Sequence, residues 1–208
     1  MGKKTIRRPL VWIDCEMTGL DLENDALIEV AVVITDEQLT IVDPGIDIVI
    51  KPSADAIEQM EPFVRQMHTE SGLLDDLDGG MSMDEAQKLV LDYVKKYVPR
   101  PRHGLLAGNS IGTDKAFLER DMPELIEHLH YRVVDVSSIK ELAKRWYHRT
   151  FEEAPEKCGG HRARADILES IAELEYYRRV LFPAGEGPSR EDCRRAGEEV
   201  RKLGITEL

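Results

Sequence analysis

Two carboxylates stand two positions apart where an apolar run near the N-terminus ends. The run LVWI is followed by Asp14 and, after one intervening residue, by Glu16. Alternate residues of a strand share one face and lie about 6.6 Å apart, so both acids can point to the same place at a sheet edge. Mg²⁺ and Mn²⁺ prefer hard oxygen ligands of this kind. A solvated loop entrance is the more common origin of such a pair, so the pair alone does not establish a metal site.

Two later segments offer further polar groups for the same site. GNSIGTD places Asp114 in the first turn of a predicted helix, where a carboxylate also suits the helix N-terminus. In CGGHRARAD, Asp166 follows His161 by five residues, which on a continuous helix would place their side chains about 140° apart. Gly159 and Gly160 allow His161 to lie on the loop and fold back, while Asp166 faces the sheet. Each of these residues, taken alone, is also compatible with a purely structural role.

The elements that must position these residues alternate in type along the chain. Three extended segments with short connections come first and favour an antiparallel meander. A helix then begins at Ser82, where Glu85 completes a capping box, and runs to Val98. Two further strands, GLLAGNS and YRVVDVSS, are each followed by a helix, and a long helix starts at RARAD. The order predicts an α/β fold in which helices flank a mixed five-stranded sheet.

Composition and charge limit the partners. The net charge of −12 argues against long duplex nucleic acid, because such binding depends on neutralising many phosphates. No apolar run approaches about 20 residues, so no membrane span is predicted. Cys15, Cys158 and Cys193 show no CxxC spacing and favour a reduced compartment, the cytoplasm.

The chain divides into one main domain and a tail. A length of 208 residues suits a single domain with its own core. We predict a domain over residues 1–182, because a cluster of proline and glycine follows from residue 183. Residues 183–208 form a linker and a tail that is either helical or mobile.

Together, the motifs resemble those of a known family. DCEMTGLD, GNSIGTDKAFL and the HxxxxD spacing of His161 and Asp166 look like the three motifs of the DEDDh 3′–5′ exonucleases. Within that group, WIDCEMTGLD, MPEL, HYRVVDVSSIKELAKRW and CGGHRARADILESIAELEYYR closely resemble the oligoribonuclease family. The resemblance extends from about Leu10 to Phe182. It implies an RNase H-like fold and a 3′–5′ exoribonuclease that degrades very short oligoribonucleotides, dinucleotides above all, to nucleoside 5′-monophosphates.

The resemblance also implies the catalytic groups. Two divalent cations, Mg²⁺ or Mn²⁺, would activate water and stabilise the leaving 3′-oxygen of an in-line displacement. His161 would be the general base, and the ordinary pKa of histidine, near 6.5, suits proton transfer around neutral pH. The implied metal ligands are Asp14, Glu16, Asp114 and Asp166.

A further set of residues is implied in substrate binding. Leu20 matches a position that wedges between two bases, and Phe63 stands where the family often has a tryptophan that stacks on a base. His68 matches a position near the scissile end and Ser110 one near the phosphate. The resemblance places Tyr131 and Arg132 in a cap over the 5′-phosphate, with the tyrosine supplied by the partner subunit of a homodimer. Arg164 occupies a place where related chains often have an apolar residue; its effect stays open.

Three other functions fit parts of the pattern. An exonuclease of the same superfamily that proofreads or trims RNA would accept longer single strands. A phosphomonoesterase of the haloacid dehalogenase type is suggested by the acidic pair and Thr18, although that class has aspartate at both positions and Glu16 is the second acid here. A non-catalytic nucleotide-binding module is the third.

Overall fold

The chain forms the mixed five-stranded sheet expected from its sequence, with the strand order β3-β2-β1-β4-β5. The structure, a computed structural model, describes residues 6–156 and 160–205, so the predictions for Cys158 and Gly159 lie outside the described residues. The strands are β1 (Leu10–Met17), β2 (Leu27–Thr35), β3 (Ile46–Val49), β4 (Leu105–Gly108) and β5 (His130–Asp135). The helices are α1 (Ala54–Glu58), α2 (Pro62–Glu70), α3 (Leu73–Asp76), α4 (Met83–Tyr97), α5 (Gly112–Asp121), α6 (Pro123–His128), α7 (Val136–Trp146), α8 (His148–Glu152), α9 (Ala163–Leu181) and α10 (Arg190–Lys202).

The strand directions bring the ends of three strands to one edge of the sheet. Strands β1, β2 and β3 pair antiparallel in sequence order, which confirms the predicted meander. Strand β4 runs parallel to β1, and β5 runs parallel to β4. The carboxyl ends of β1, β4 and β5 therefore meet at the same edge, which is where ligands bind in open α/β sheets.

Alternation along β1 separates the core from the acidic residues. Cys15 is buried in the cluster that packs against α4, on the face opposite the acids, as predicted. Trp12 points to the other face and packs with Ile167 of α9. Asp14 and Glu16 follow Trp12 at alternate positions, so they continue the face that α9 covers. The helix that carries Asp166 thus lies over the strand that carries the acidic pair.

Helix starts explain one success and one error of the sequence analysis. Helix α4 begins after Ser82 with the predicted capping box to Glu85. The predicted fifth strand, which included Ser138, was too long: β5 ends at Asp135 and α7 begins at Val136. The cause is an N-cap, because the Asp135 carboxylate accepts a hydrogen bond from the Ser137 N–H.

The segment between β3 and α4 consists of short helices, and the tail contains one more. Helix α2 starts at Pro62, and Gly72 takes the left-handed backbone conformation before α3. Helix α10 buries none of its side chains. None of the helices described for residues 6–156 and 160–205 is both long and apolar enough to cross a membrane.

Candidate active site

Three groups from distant parts of the chain meet beside the end of β1. Ligand atoms of Glu16, His161 and Asp166 all lie within 4.8 Å of one another. Asp166 lies in the first turn of α9, and His161 precedes that helix. His161 itself adopts the left-handed backbone conformation, with a φ of 46°, which is uncommon for a residue other than glycine. The chain therefore folds back at His161, so histidine and aspartate reach one site despite their five-residue spacing.

The two remaining predicted acids flank this group. Asp114 is 7% exposed in the first turn of α5, and its Oδ1 accepts a hydrogen bond of 3.0 Å from the Cys15 N–H. This contact ties α5 to β1 between the two acids of the pair. Asp14 is half-buried on the same face of β1 as Glu16. All four predicted acids thus stand around the carboxyl end of β1.

The ionised form of these acids is unfavourable without a nearby positive charge, because the acids are buried and repel one another. Burial raises the pKa of Glu16 to about 8, and the charges of Asp166, Glu29 and Asp114 add to that effect. Burial also raises the pKa of Asp114 to about 6, against the hydrogen bond from Cys15. A hard divalent cation prefers oxygen donors and would relieve this repulsion. The donor set therefore fits Mg²⁺ or Mn²⁺.

The raised pKa of Glu16 predicts an unusual pH dependence of stability in metal-free protein. The folded state holds this proton more tightly than the unfolded state, where the ordinary value is 4.5. The stabilising contribution is therefore full below about pH 4.5 and is lost as the pH rises through 8. Replacing Glu16 with glutamine should raise the melting temperature at pH 8 by about 5 °C and change it little at pH 4.5.

Thermal unfolding in the presence of a chelator measures this effect. Glu58→Gln, an exposed acid in α1, is the matched control and should leave the melting temperature unchanged at both pH values. Parallel pH profiles for wild type and Glu16→Gln would contradict the electrostatic description of the site.

His68 is the predicted substrate residue that lies nearest the acids. It is fully buried near the end of α2, and burial lowers the pKa of its imidazole. Its Nε2 lies 2.8 Å from the Met17 carbonyl oxygen, which only accepts, so Nε2 carries the proton. Its Nδ1 is then an acceptor; it lies 4.0 Å from Glu16 Oε2 and has no hydrogen-bond partner among the described residues.

A cleft whose lining begins at Thr18, two residues after Glu16, displays the two apolar residues predicted to contact bases. Leu20 is 75% exposed and Phe63 is 77% exposed, and both line a cleft of about 670 Å³. The loop that carries Leu20 is ordered by Asp25, whose Oδ1 accepts from the Thr18 hydroxyl at 2.9 Å. A Cβ atom at Gly19 would lie 2.3 Å from the same carboxylate, so a side chain there would displace Asp25 from its hydrogen bond with Thr18. Leu20 is therefore held out into the cleft rather than packed on the core.

Ser110 lies at the same sheet edge, in a pair with a residue that the sequence analysis missed. Its N–H donates to Ser137 Oγ at 2.9 Å and to Asp135 Oδ1 at 3.0 Å. The two serine hydroxyl oxygens lie 3.1 Å apart. Ser110, like His161, has a left-handed backbone, with a φ of 51°. The strand order could have predicted Ser137. Strands β4 and β5 are adjacent and parallel, so the residues that follow them lie close together.

Tyr131, Arg132 and Arg164 are not drawn into the acidic group. Tyr131 is 74% exposed on the edge strand β5, and the Arg132 guanidinium lies 5.4 Å from the centre of its ring. None of the contacts described for these two residues reaches the four acids. Arg164 turns to the β2–β3 connection, where its Nε donates to the Pro44 carbonyl at 2.9 Å. The arginine that departs from the usual apolar residue thus acts outside the site.

Comparison with known proteins gives the same family from sequence. The RNase_T family model, described as an exonuclease, matches residues 11–174. An oligoribonuclease of Leifsonia xyli subsp. xyli is 58% identical over 92% of this chain and 92% of its own. Oligoribonucleases of Cutibacterium acnes and Streptomyces coelicolor are 58% and 57% identical, over 88% and 89% of this chain and 91% and 92% of their own.

Solved structures show the fold in more distant proteins. Exonuclease I from Methylocaldum szegediense aligns with a TM-score of 0.64 at 19% identity, over 83% of this chain. E. coli exonuclease I, in its complex with single-stranded DNA, aligns with a TM-score of 0.66 at 13% identity, over 84% of this chain. This chain spans 41% of the length of each of those chains. With an exonuclease model over most of its length and relatives more than half identical across nearly all of it, the chain belongs to the oligoribonuclease family.

Proposed function

We propose that the chain is a 3′–5′ exoribonuclease for very short oligoribonucleotides, dinucleotides above all. The observation that carries the proposal is the group of Glu16, His161 and Asp166, together with a cleft that displays Leu20 and Phe63 and whose lining begins at Thr18, two residues after Glu16. The first three residues supply hydrolytic chemistry. The last two supply apolar surfaces that suit stacking without base preference.

The length of α2 supports a short substrate. Phe63 stands at the start of this helix, and His68 stands near its end beside Glu16. Five helical residues rise about 7.5 Å, and stacked nucleotides rise about 3.4 Å each. The rise of the helix backbone from Phe63 to His68 therefore corresponds to about two stacked nucleotides.

One group of the same region supports a ribose substrate. The Glu16 side chain is 11% exposed beside the fully buried His68, and its carboxylate, once ionised, can accept a hydrogen bond from a ribose hydroxyl group. The 2′-hydroxyl is the group by which proteins distinguish RNA from DNA.

The chemistry follows from the donor set. Two cations would be held by the four acids, Asp14, Glu16, Asp114 and Asp166. When bound, they would activate water and neutralise the charge of the phosphate. His161 accepts the proton of the attacking water. The water oxygen forms the new bond to phosphorus, the bond to the 3′-oxygen breaks, and a nucleoside 5′-monophosphate is released.

The exposed edge of the sheet supports a homodimer with two-fold symmetry. Within residues 6–156 and 160–205, strand β5 pairs with β4 on one side only, and such edges are usually covered or shielded. Exposed apolar side chains extend from it onto α7: Tyr131, Val133, Leu142 and Trp146. In the dimer, Tyr131 of one subunit would reach the cleft of the other, while Arg132, Ser110 and Ser137 bind the 5′-phosphate. The cytoplasmic location and the division of the chain at residue 182 stay predictions from the sequence.

The proposal is tested by hydrolysis of RNAs from two to about ten nucleotides, with and without a 5′-phosphate. We expect the highest kcat/KM for the 5′-phosphorylated dinucleotide and a steep fall with length, because the cleft is short and the protein is acidic. The same samples should sediment as dimers.

The main alternative is an exonuclease of the same superfamily that acts on long single strands. Higher kcat/KM for the ten-nucleotide strand than for the dinucleotide would favour that alternative and contradict ours. A monomer with full dinucleotide activity would contradict the dimeric site.

A further inference from the structure

We infer that Glu29 is a positioning residue for His161: its carboxylate holds Arg162 and the start of α9, and so fixes the place of the imidazole beside Glu16. This inference rests on the proposed role of His161 as general base. Glu29 belongs neither to the acidic pair nor to the three motifs, and the sequence analysis assigned it no role.

Glu29 stands next to the candidate metal ligands without being one of them. It lies on β2, directly opposite Glu16 in the antiparallel pairing with β1, so the two side chains share one face of the sheet. Its relative exposure is 0%. A buried carboxylate is costly unless it is paired and hydrogen-bonded, so its partners identify what it holds.

Both oxygens of Glu29 bind the segment that follows His161. Oε1 accepts a hydrogen bond of 2.8 Å from the Arg162 Nε and Oε2 one of 2.8 Å from the Ala163 N–H. Ala163 is the first residue of α9, where an unpaired backbone N–H and the helix dipole both favour a carboxylate. The two residues directly after His161 are thus fixed to strand β2 of the sheet.

Arg162 also binds a second element, helix α3. Its Nη1 lies 3.1 Å from Oδ2 of Asp76, the last residue of that helix. Its side chain is one-third exposed, whereas the Glu29 side chain is fully enclosed. The guanidinium therefore bridges β2 and α3 across the start of α9.

The backbone of His161 explains why such an attachment matters. Its left-handed conformation is sparsely populated for a residue with a side chain. Residues of this kind keep their conformation only when the surrounding structure determines it. The contacts that Glu29 makes with residues 162 and 163 supply that constraint on one side of His161.

Kinetics with matched variants test the inference. Glu29→Gln and Arg162→Ala should each lower kcat for a dinucleotide about 10- to 100-fold, the usual effect of losing a group that orients another, with KM changed less than about twofold. The double variant should lose no more than the stronger single one, since both residues act through one attachment. Arg164→Ala is the control: it removes a guanidinium two residues further on, which binds Pro44 instead, and should keep wild-type kcat.

A second readout follows His161 directly in metal-free protein. Its ring proton NMR signals can be identified by their absence from His161→Ala. They should shift or broaden in Glu29→Gln and Arg162→Ala, and should stay unchanged in Arg164→Ala.

The outcomes separate this inference from the proposed function. Wild-type kcat and wild-type His161 signals in folded Glu29→Gln would overturn it; if that variant does not fold, the same result in Arg162→Ala would do so. Full activity of His161→Ala would overturn the general-base role, while the NMR signals would still report whether Glu29 holds His161.

Discussion

Replacing Asp14 with asparagine is expected to lower the rate of dinucleotide hydrolysis by about 10³-fold. The change keeps the size of the side chain and removes one charge from the group of four acids. Cation binding is worth several kcal/mol of charge stabilisation in the transition state, and each 1.36 kcal/mol corresponds to a factor of ten in rate. The measurement is kcat at saturating Mg²⁺, with circular dichroism to confirm the fold.

Asp84→Asn is the matched control for this variant. Asp84 lies in the first turn of α4, which packs on the opposite face of the sheet. Its replacement should leave kcat unchanged. A folded Asp14→Asn protein with activity within about tenfold of wild type would show that this acid does not hold a cation needed for catalysis.

Replacing His161 with alanine is expected to lower kcat by about 10²- to 10⁴-fold, the range for loss of a general base. His161 also lies close enough to Glu16 and Asp166 to serve as a ligand instead. The two roles differ in their effect on metal affinity. If His161 is the base, Mn²⁺ should bind His161→Ala as tightly as it binds wild type.

His148→Ala, which replaces an exposed histidine on α8, is the control and should change neither the rate nor the Mn²⁺ affinity. A large loss of Mn²⁺ affinity in His161→Ala would make the residue a metal ligand. A rate close to that of wild type would remove it from the mechanism.

Local sequence patterns were sufficient to predict the strand and the helix start described here. Period-two alternation in β1 predicted that Cys15 faces the core while Asp14 and Glu16 share the other face. The capping box at Ser82 predicted the start of α4, because its hydrogen bonds form within four residues. Such features depend on neighbours in sequence and can be identified before the fold is known.

Those patterns could not predict contacts between residues that are far apart in the sequence. Glu29 and Arg162 are 133 residues apart, and nothing in the spacing of either residue predicts the other. The sequence indicated only one of the two residues. Glu29 is a lone acid inside the apolar run of β2, and all residues of that strand are buried. The sequence could mark it as a buried charge in need of a partner. Only the packing of α9 on the sheet identifies that partner.

The residues proposed to bind the phosphate show the same limit. Ser110 was predicted from a motif, but its contact with Ser137 depends on the parallel pairing of β4 and β5. The exact end of β5 depends on the N-cap that Asp135 forms for α7. The β-branched residues next to Asp135 favour a strand, so the sequence did not indicate this cap. Tyr131 is exposed on its own chain, so the role proposed for it requires a second subunit.

The central claim is that four acids from three parts of the chain hold divalent cations. Anomalous scattering from crystals grown with Mn²⁺ and a non-hydrolysable dinucleotide tests it most directly. We predict two manganese peaks among Asp14, Glu16, Asp114 and Asp166. The absence of any peak there, with the acids ordered and the dinucleotide bound, would contradict the account.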